Sequence, residues 1–118
     1  MSRKKGLKAE DLRANQLQHE HKDAQVYRSA ASHSLVDVTC ITEDEVILEQ
    51  IKSVKYETYK VAKQHNSSSY LYTKKGLVEN HIRKELSKFV AMPVPISVTK
   101  RFLVRIGSDP NFLLLWSN

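Results

Sequence analysis

The sequence predicts an α/β fold in which helices flank a mixed central β-sheet. Two stretches repeat their apolar residues at the helical period, and short β-type runs lie between and after them. Their order is helix, three strands, a loop region, a second helix, then further strands. That alternation is the pattern of an α/β domain.

Residues 1–6 read as a mobile basic arm. Residues 7–21 are predicted to be helical, because Leu7, Ala14 and Leu17 fall on one side while Gln, Lys and Arg cover much of the rest. Three β-type runs follow, at 25–28, 35–41 and 45–55. The tight polar turn Thr42-Glu43-Asp44 makes a hairpin of the last two. Ser67-Ser68-Ser69 signals a loop, and Tyr70-Leu71-Tyr72 reads as a short strand. A second helix is predicted over 76–90, with Val78, Ile82, Leu86 and Phe89 along one face and Pro93 and Pro95 ending it. Residues 96–99 and 102–106 read as strands on either side of Lys100-Arg101. Residues 112–116 read as a last apolar strand or a dimer-contact segment.

The 118 residues are enough for one domain spanning 1–118, with a modest core that burial against a second subunit would support. No apolar run is long enough for a transmembrane helix, and the basic N-terminus has no apolar stretch behind it. A soluble intracellular protein is the expectation. Cys40, the single cysteine, reads as a small buried thiol, and no Cys or His pairs have zinc-site spacing. Nineteen Lys and Arg against thirteen Asp and Glu give a net charge of +6, which favours polyanionic partners through counterion release.

The acids carry more information. Asp37 lies within the apolar run Leu35-Val36-Asp37-Val38-Thr39-Cys40-Ile41. Burying a carboxylate there costs several kcal/mol unless a cation or hydrogen bonds compensate. On the next strand, Val46-Ile47-Leu48-Glu49-Gln50-Ile51-Lys52, alternation puts Gln50 and Lys52 on one face and Glu49 on the other. A hairpin would bring Asp37 beside Gln50 and Lys52, an oxygen-rich pocket with an ammonium at its edge. Such a pocket suits phosphodiester hydrolysis: oxygen ligands for Mg²⁺, and a lysine to orient water or stabilise developing charge. The competing reading makes Asp37 a surface residue of an edge strand and Lys52 part of a solvated charge run.

An aspartate on one strand, about a dozen connecting residues, then an acid-x-Lys on the next resembles the PD-(D/E)XK nuclease superfamily. The segments Arg28-Ser29-Ala30-Ala31-Ser32-His33-Ser34-Leu35-Val36-Asp37 and Val46-Ile47-Leu48-Glu49-Gln50-Ile51-Lys52-Ser53 are similar to those of archaeal-type Holliday-junction resolvases. The resemblance covers about residues 5–55 and is weaker over 76–106. It implies a restriction-endonuclease-like core and a homodimeric, Mg²⁺-dependent endonuclease, with Mn²⁺ able to substitute. Branched double-stranded DNA would be the substrate, inside a prokaryotic cytoplasm, at the nucleoid.

By the same resemblance, Asp37, Gln50 and Glu10 would bind metal, and Lys52, Glu10 and Ser32 would serve catalysis. Ser34 is the alternative site serine. Glu10 would be the family's leading-helix glutamate, set between Leu7, Ala14 and Leu17; an ordinary exposed helix acid is its other reading. Arg3, Lys4, Lys5, Lys8, Arg28, Ser34 and Lys55 would contact DNA. One departure matters, because the family usually carries glutamate where Gln50 stands. Three readings stay open: Gln50 ligates through its amide carbonyl, a strand bulge lets Glu49 serve, or the site has lost activity.

Overall fold

The structure, a computed structural model, describes residues 2–29, 35–54 and 77–118. Its elements are α1 (Ser2–Glu20), β1 (Gln25–Arg28), β2 (Val38–Ile41), β3 (Val46–Val54), α2 (Leu77–Ala91), β4 (Val98–Ile106) and β5 (Leu113–Ser117). Ser32, Ser34, Lys55, and the predicted loop and strand at 67–72 lie outside the described residues.

The five strands form one mixed sheet in the order β1-β2-β3-β4-β5. The pairs β1–β2, β2–β3 and β4–β5 are antiparallel, whereas β3 and β4 run parallel. A parallel pair requires a crossover, and α2 lies within the one between β3 and β4. The predicted hairpin turn forms as expected. The Thr42 hydroxyl oxygen accepts from the Asp44 and Glu45 amides, and the Thr42 amide donates to the Glu45 carbonyl at 2.9 Å.

Alternation along the central strands feeds two apolar layers. On one face Ala9 and Leu17 of α1 pack with Val38, Cys40, Ile47, Ile51 and Leu103. On the other, Ile82 and Phe89 of α2 pack with Val54, Phe102 and Val104. Phe102 and Leu103 are neighbours in sequence and serve opposite layers, as a period of two dictates.

Two sequence expectations change. The first helix begins at Ser2, so residues 2–6 are helical rather than an arm; Leu17 is buried and Ala14 packs against the core as expected, and Ala9 and Arg13 join them on the inward side. The strands expected on either side of Lys100-Arg101 are one continuous strand, because each cation has a partner on its own face. Arg101 reaches Glu49 on the α1 side. Lys100 turns inward and donates to the carbonyls of Phe89, Val90 and Met92 at 3.0, 2.9 and 2.6 Å. The Val90 and Met92 carbonyls lie where the helical ladder has run out, and the Phe89 carbonyl also accepts from the Met92 amide at 3.2 Å.

The apolar tail at 112–116 is largely spent on the chain's own core. Phe112 packs against the α1 layer, while Leu113, Leu115 and Trp116 pack against the α2 layer. A register shift in the β4–β5 ladder at Phe102/Leu103 lets Trp116 share a side with Leu113 and Leu115. Leu114 is exposed.

Replacing Lys100 with methionine keeps the aliphatic stem and strands those carbonyls. Lys100→Met is expected to lower unfolding free energy by about 2–3 kcal/mol in urea denaturation. A loss under about 0.5 kcal/mol, the range of an ordinary surface substitution, would refute the capping role.

Candidate metal centre

The candidate site forms where β2 stops and β3 continues. The β2–β3 ladder begins at the pair Val38↔Glu49, and β3 runs on to Val54. Asp37 lies one residue before that pair, still opposite Glu49. The Asp37 amide donates to the Glu49 carbonyl at 2.8 Å, and its carbonyl accepts from the Ser29 amide at 2.9 Å, which fixes the backbone on both sides. Asp37 Oδ2 then accepts from the Ile51 amide at 2.8 Å, taking the place of the missing strand partner.

Gln50 and Lys52 follow on the α2 side of β3. Gln50 is 2% exposed, and its Nε2 donates to Glu85 Oε2 at 3.1 Å. Its Oε1 is buried and has no hydrogen-bond partner among the described residues. Lys52 Nζ stands 3.9 Å from the same Glu85 oxygen. Glu10 approaches from α1, close enough to interact electrostatically with Asp37, Arg28 and Lys52. Arg28 of β1 is anchored to Asp11 of α1 at 2.6 Å.

The electrostatics are those of a site short of positive charge. Burial pushes the Glu10 carboxyl from its ordinary range up to about 7, and the nearby Asp37 adds to the rise; Arg28 and Lys52 oppose it. Asp37 is also raised, first by burial and then by Glu85, against the Ile51 hydrogen bond and Lys52. Carboxyls held in this way gain from a cation between them.

The donor set fits a hard, oxygen-seeking divalent ion: Asp37 and Glu10 supply carboxylates and Gln50 an unpartnered buried carbonyl. Among the described residues no three His, Cys, Asp or Glu side chains form a group that could hold a metal ion.

Glu49 takes no part. β3 pairs with both neighbours without a register shift, so Glu49 stays on the α1 face, fully buried. There Arg13 Nε and Nη2 donate to its two oxygens at 2.6 and 2.8 Å, and Arg101 adds a contact at 3.5 Å. The bulge that would bring Glu49 into the site is absent.

Glu85 was missed by sequence reasoning. Its signal is present: Glu85 lies three residues after Ile82 and four before Phe89, on the buried stripe of α2. Arg3, Lys4, Lys5 and Lys8 lie along the N-terminal half of α1.

The raised carboxyls set a pH dependence. Because Glu10 titrates near 7 when folded and near 4.5 otherwise, the native state holds a proton that the unfolded chain releases between those values. The associated stability is complete below about pH 4.5 and is lost as pH rises through 7. Melts in EDTA are expected to show Tm falling over that window, and Glu10→Gln to flatten the fall, Asp37 supplying the remainder. An equally steep fall in the variant would contradict the assignment.

No helix among the described residues is long and apolar enough to cross a membrane. A comparison of the chain with family models, with curated proteins and with solved structures finds no match.

Proposed function

We propose that this chain is a Mg²⁺-dependent DNA endonuclease with a restriction-endonuclease-like core, acting as a homodimer on four-way junctions. What supports the nuclease reading is that the charges of Asp37, Lys52 and Glu10 act on one another at the end of β2, while Gln50 on β3 holds a buried, unpartnered amide oxygen. Junction selectivity and the homodimer rest on the resemblance to archaeal-type Holliday-junction resolvases. Paired sites related by a two-fold axis suit the nicking of opposing strands.

Asp37 and Gln50 Oε1, with Glu10, would hold the ion. Mg²⁺, when bound, supplies charge stabilisation on the phosphoryl oxygens and lowers the pKa of the attacking water. Lys52, at the pocket edge, orients that water and donates to the developing charge on phosphate. Ser32 is proposed as the site serine. Arg28, Ser34, Lys55 and the basic residues of α1 (Arg3, Lys4, Lys5 and Lys8) supply contacts to backbone phosphates, which select for DNA shape rather than sequence. This activity would place the protein at the nucleoid, with Mn²⁺ able to replace Mg²⁺.

The test is cleavage of a synthetic four-way junction beside a linear duplex of the same sequence, with Mg²⁺ and with EDTA. The expected result is paired nicks in the junction that EDTA abolishes. Inertness on every branched and linear DNA would sink the nuclease reading; equal cutting of both substrates would remove junction selectivity alone. A second reading, a DNA-binding module with decayed chemistry, draws on the uncharged Gln50. Tight junction binding without cleavage, unrescued by Gln50→Glu, would favour it.

A further inference from the structure

The geometry of Gln50 addresses the missing charge. An amide side chain has nearly the same shape when turned by half a rotation, so its orientation must be set by its partners. Glu85 Oε2 is a carboxylate oxygen, and a carboxylate only accepts. It therefore takes Nε2, at 3.1 Å, and sends Oε1 the other way. That oxygen is the one buried side-chain atom among the described residues left without a partner, in a residue 2% exposed. A buried carbonyl held with its lone pairs unused calls for a partner the protein itself does not supply, an ion or a water. Glu85 also stands 3.9 Å from Lys52 Nζ, and its charge reaches Asp37.

We infer that Glu85 of α2 is a positioning residue of the metal site, which acts through Gln50 to aim Oε1 into the ion-binding pocket and supplies from the helix the negative charge that the amide lacks. This inference rests on the divalent-cation reading of the site. Glu85 then places a carboxylate on the face of β3 that carries Gln50 and Lys52, where the strand itself has none. Glu85 also restrains Lys52 at the pocket edge.

Mn²⁺ binding to the intact protein without DNA, read by electron paramagnetic resonance, tests it. Glu85→Leu, which removes both orientation and charge, is expected to weaken Mn²⁺ binding about 10- to 100-fold. Glu85→Gln, which can still accept from Nε2, should fall near the lower end of that range. Adding Gln50→Glu to the Glu85→Gln chain returns the charge to β3 and should restore most of the affinity. A packing role for Glu85 would not be rescued by moving charge to another element.

In the unaltered protein, Mg²⁺ is expected to shift the Gln50 side-chain amide resonances, a readout that needs no variant. If Mn²⁺ binds both Glu85 variants as tightly as wild type while Asp37→Ala abolishes binding, the inference fails and the metal site stands. Unmoved Gln50 resonances at saturating Mg²⁺ would overturn it equally. If wild type binds no Mn²⁺, the metal-site reading fails and takes the inference with it.

Discussion

Asp37→Asn is expected to reduce Mg²⁺-dependent junction cleavage by about 10³-fold or more while leaving the fold intact. Asparagine keeps the size of the side chain and an oxygen able to accept from the Ile51 amide, the contact that ties position 37 to β3. What it removes is the charge. If that charge contributes about 4 kcal/mol to holding the ion and stabilising the transition state, the rate falls ~10³-fold. Stability should move the other way. The Asp37 carboxyl is raised by burial, so ionising it in the metal-free protein opposes folding. Without divalent ions, the variant is expected to melt at or slightly above the wild-type temperature near neutral pH. An active site often stores such a conflict between stability and function. A variant that cleaves within tenfold of wild type would remove Asp37 from the chemistry.

Glu49→Leu is expected to have the largest effect on stability, a loss of about 3–5 kcal/mol. Glu49 is fully buried and is held by Arg13 from α1 and by Arg101 from β4. Truncating the acid leaves Arg13 without its buried partner, in a place where its guanidinium also stacks near the Phe112 ring. The cost is mainly that of an uncompensated charge rather than the worth of the ion pair. Denaturant unfolding measures it, and a loss below about 1 kcal/mol would show that Arg13 escapes to solvent. Replacing Glu49 and Arg13 together by apolar residues should cost less than Glu49→Leu alone.

The sequence announced its strands and second helix because their signals are apolar and periodic. Strand β1, the Thr42 turn and the stripe Ile82–Leu86–Phe89 fall where alternation and helical spacing put them. It concealed what is charged and buried. Arg13, Glu49 and Lys100 look like solvated residues in one dimension, and become interior only when a partner from a distant element meets them. For that reason the adjacent cations Lys100 and Arg101 passed for a break between strands. Faces could be read for Gln50 and Lys52, since strand alternation fixes them, whereas Asp37 precedes β2 and is placed by its hydrogen bonds to Glu49 and Ile51. Glu10 was legible through its place beside the inward stripe of α1. Glu85 was hidden because its contacts with Gln50 and Lys52 depend on how α2 sits over β3, which no local pattern encodes. For Gln50 the sequence left three readings open, and the structure excludes the one in which a bulge brings in Glu49.

The most direct measurement is anomalous diffraction from crystals of the wild-type protein soaked in Mn²⁺. One peak is expected beside Asp37 and Gln50 Oε1, with Glu10 nearby and Lys52 at its rim. Crystals that take up manganese elsewhere, leaving that amide oxygen without a cation, would contradict a divalent-ion site in this sheet and the hydrolysis derived from it.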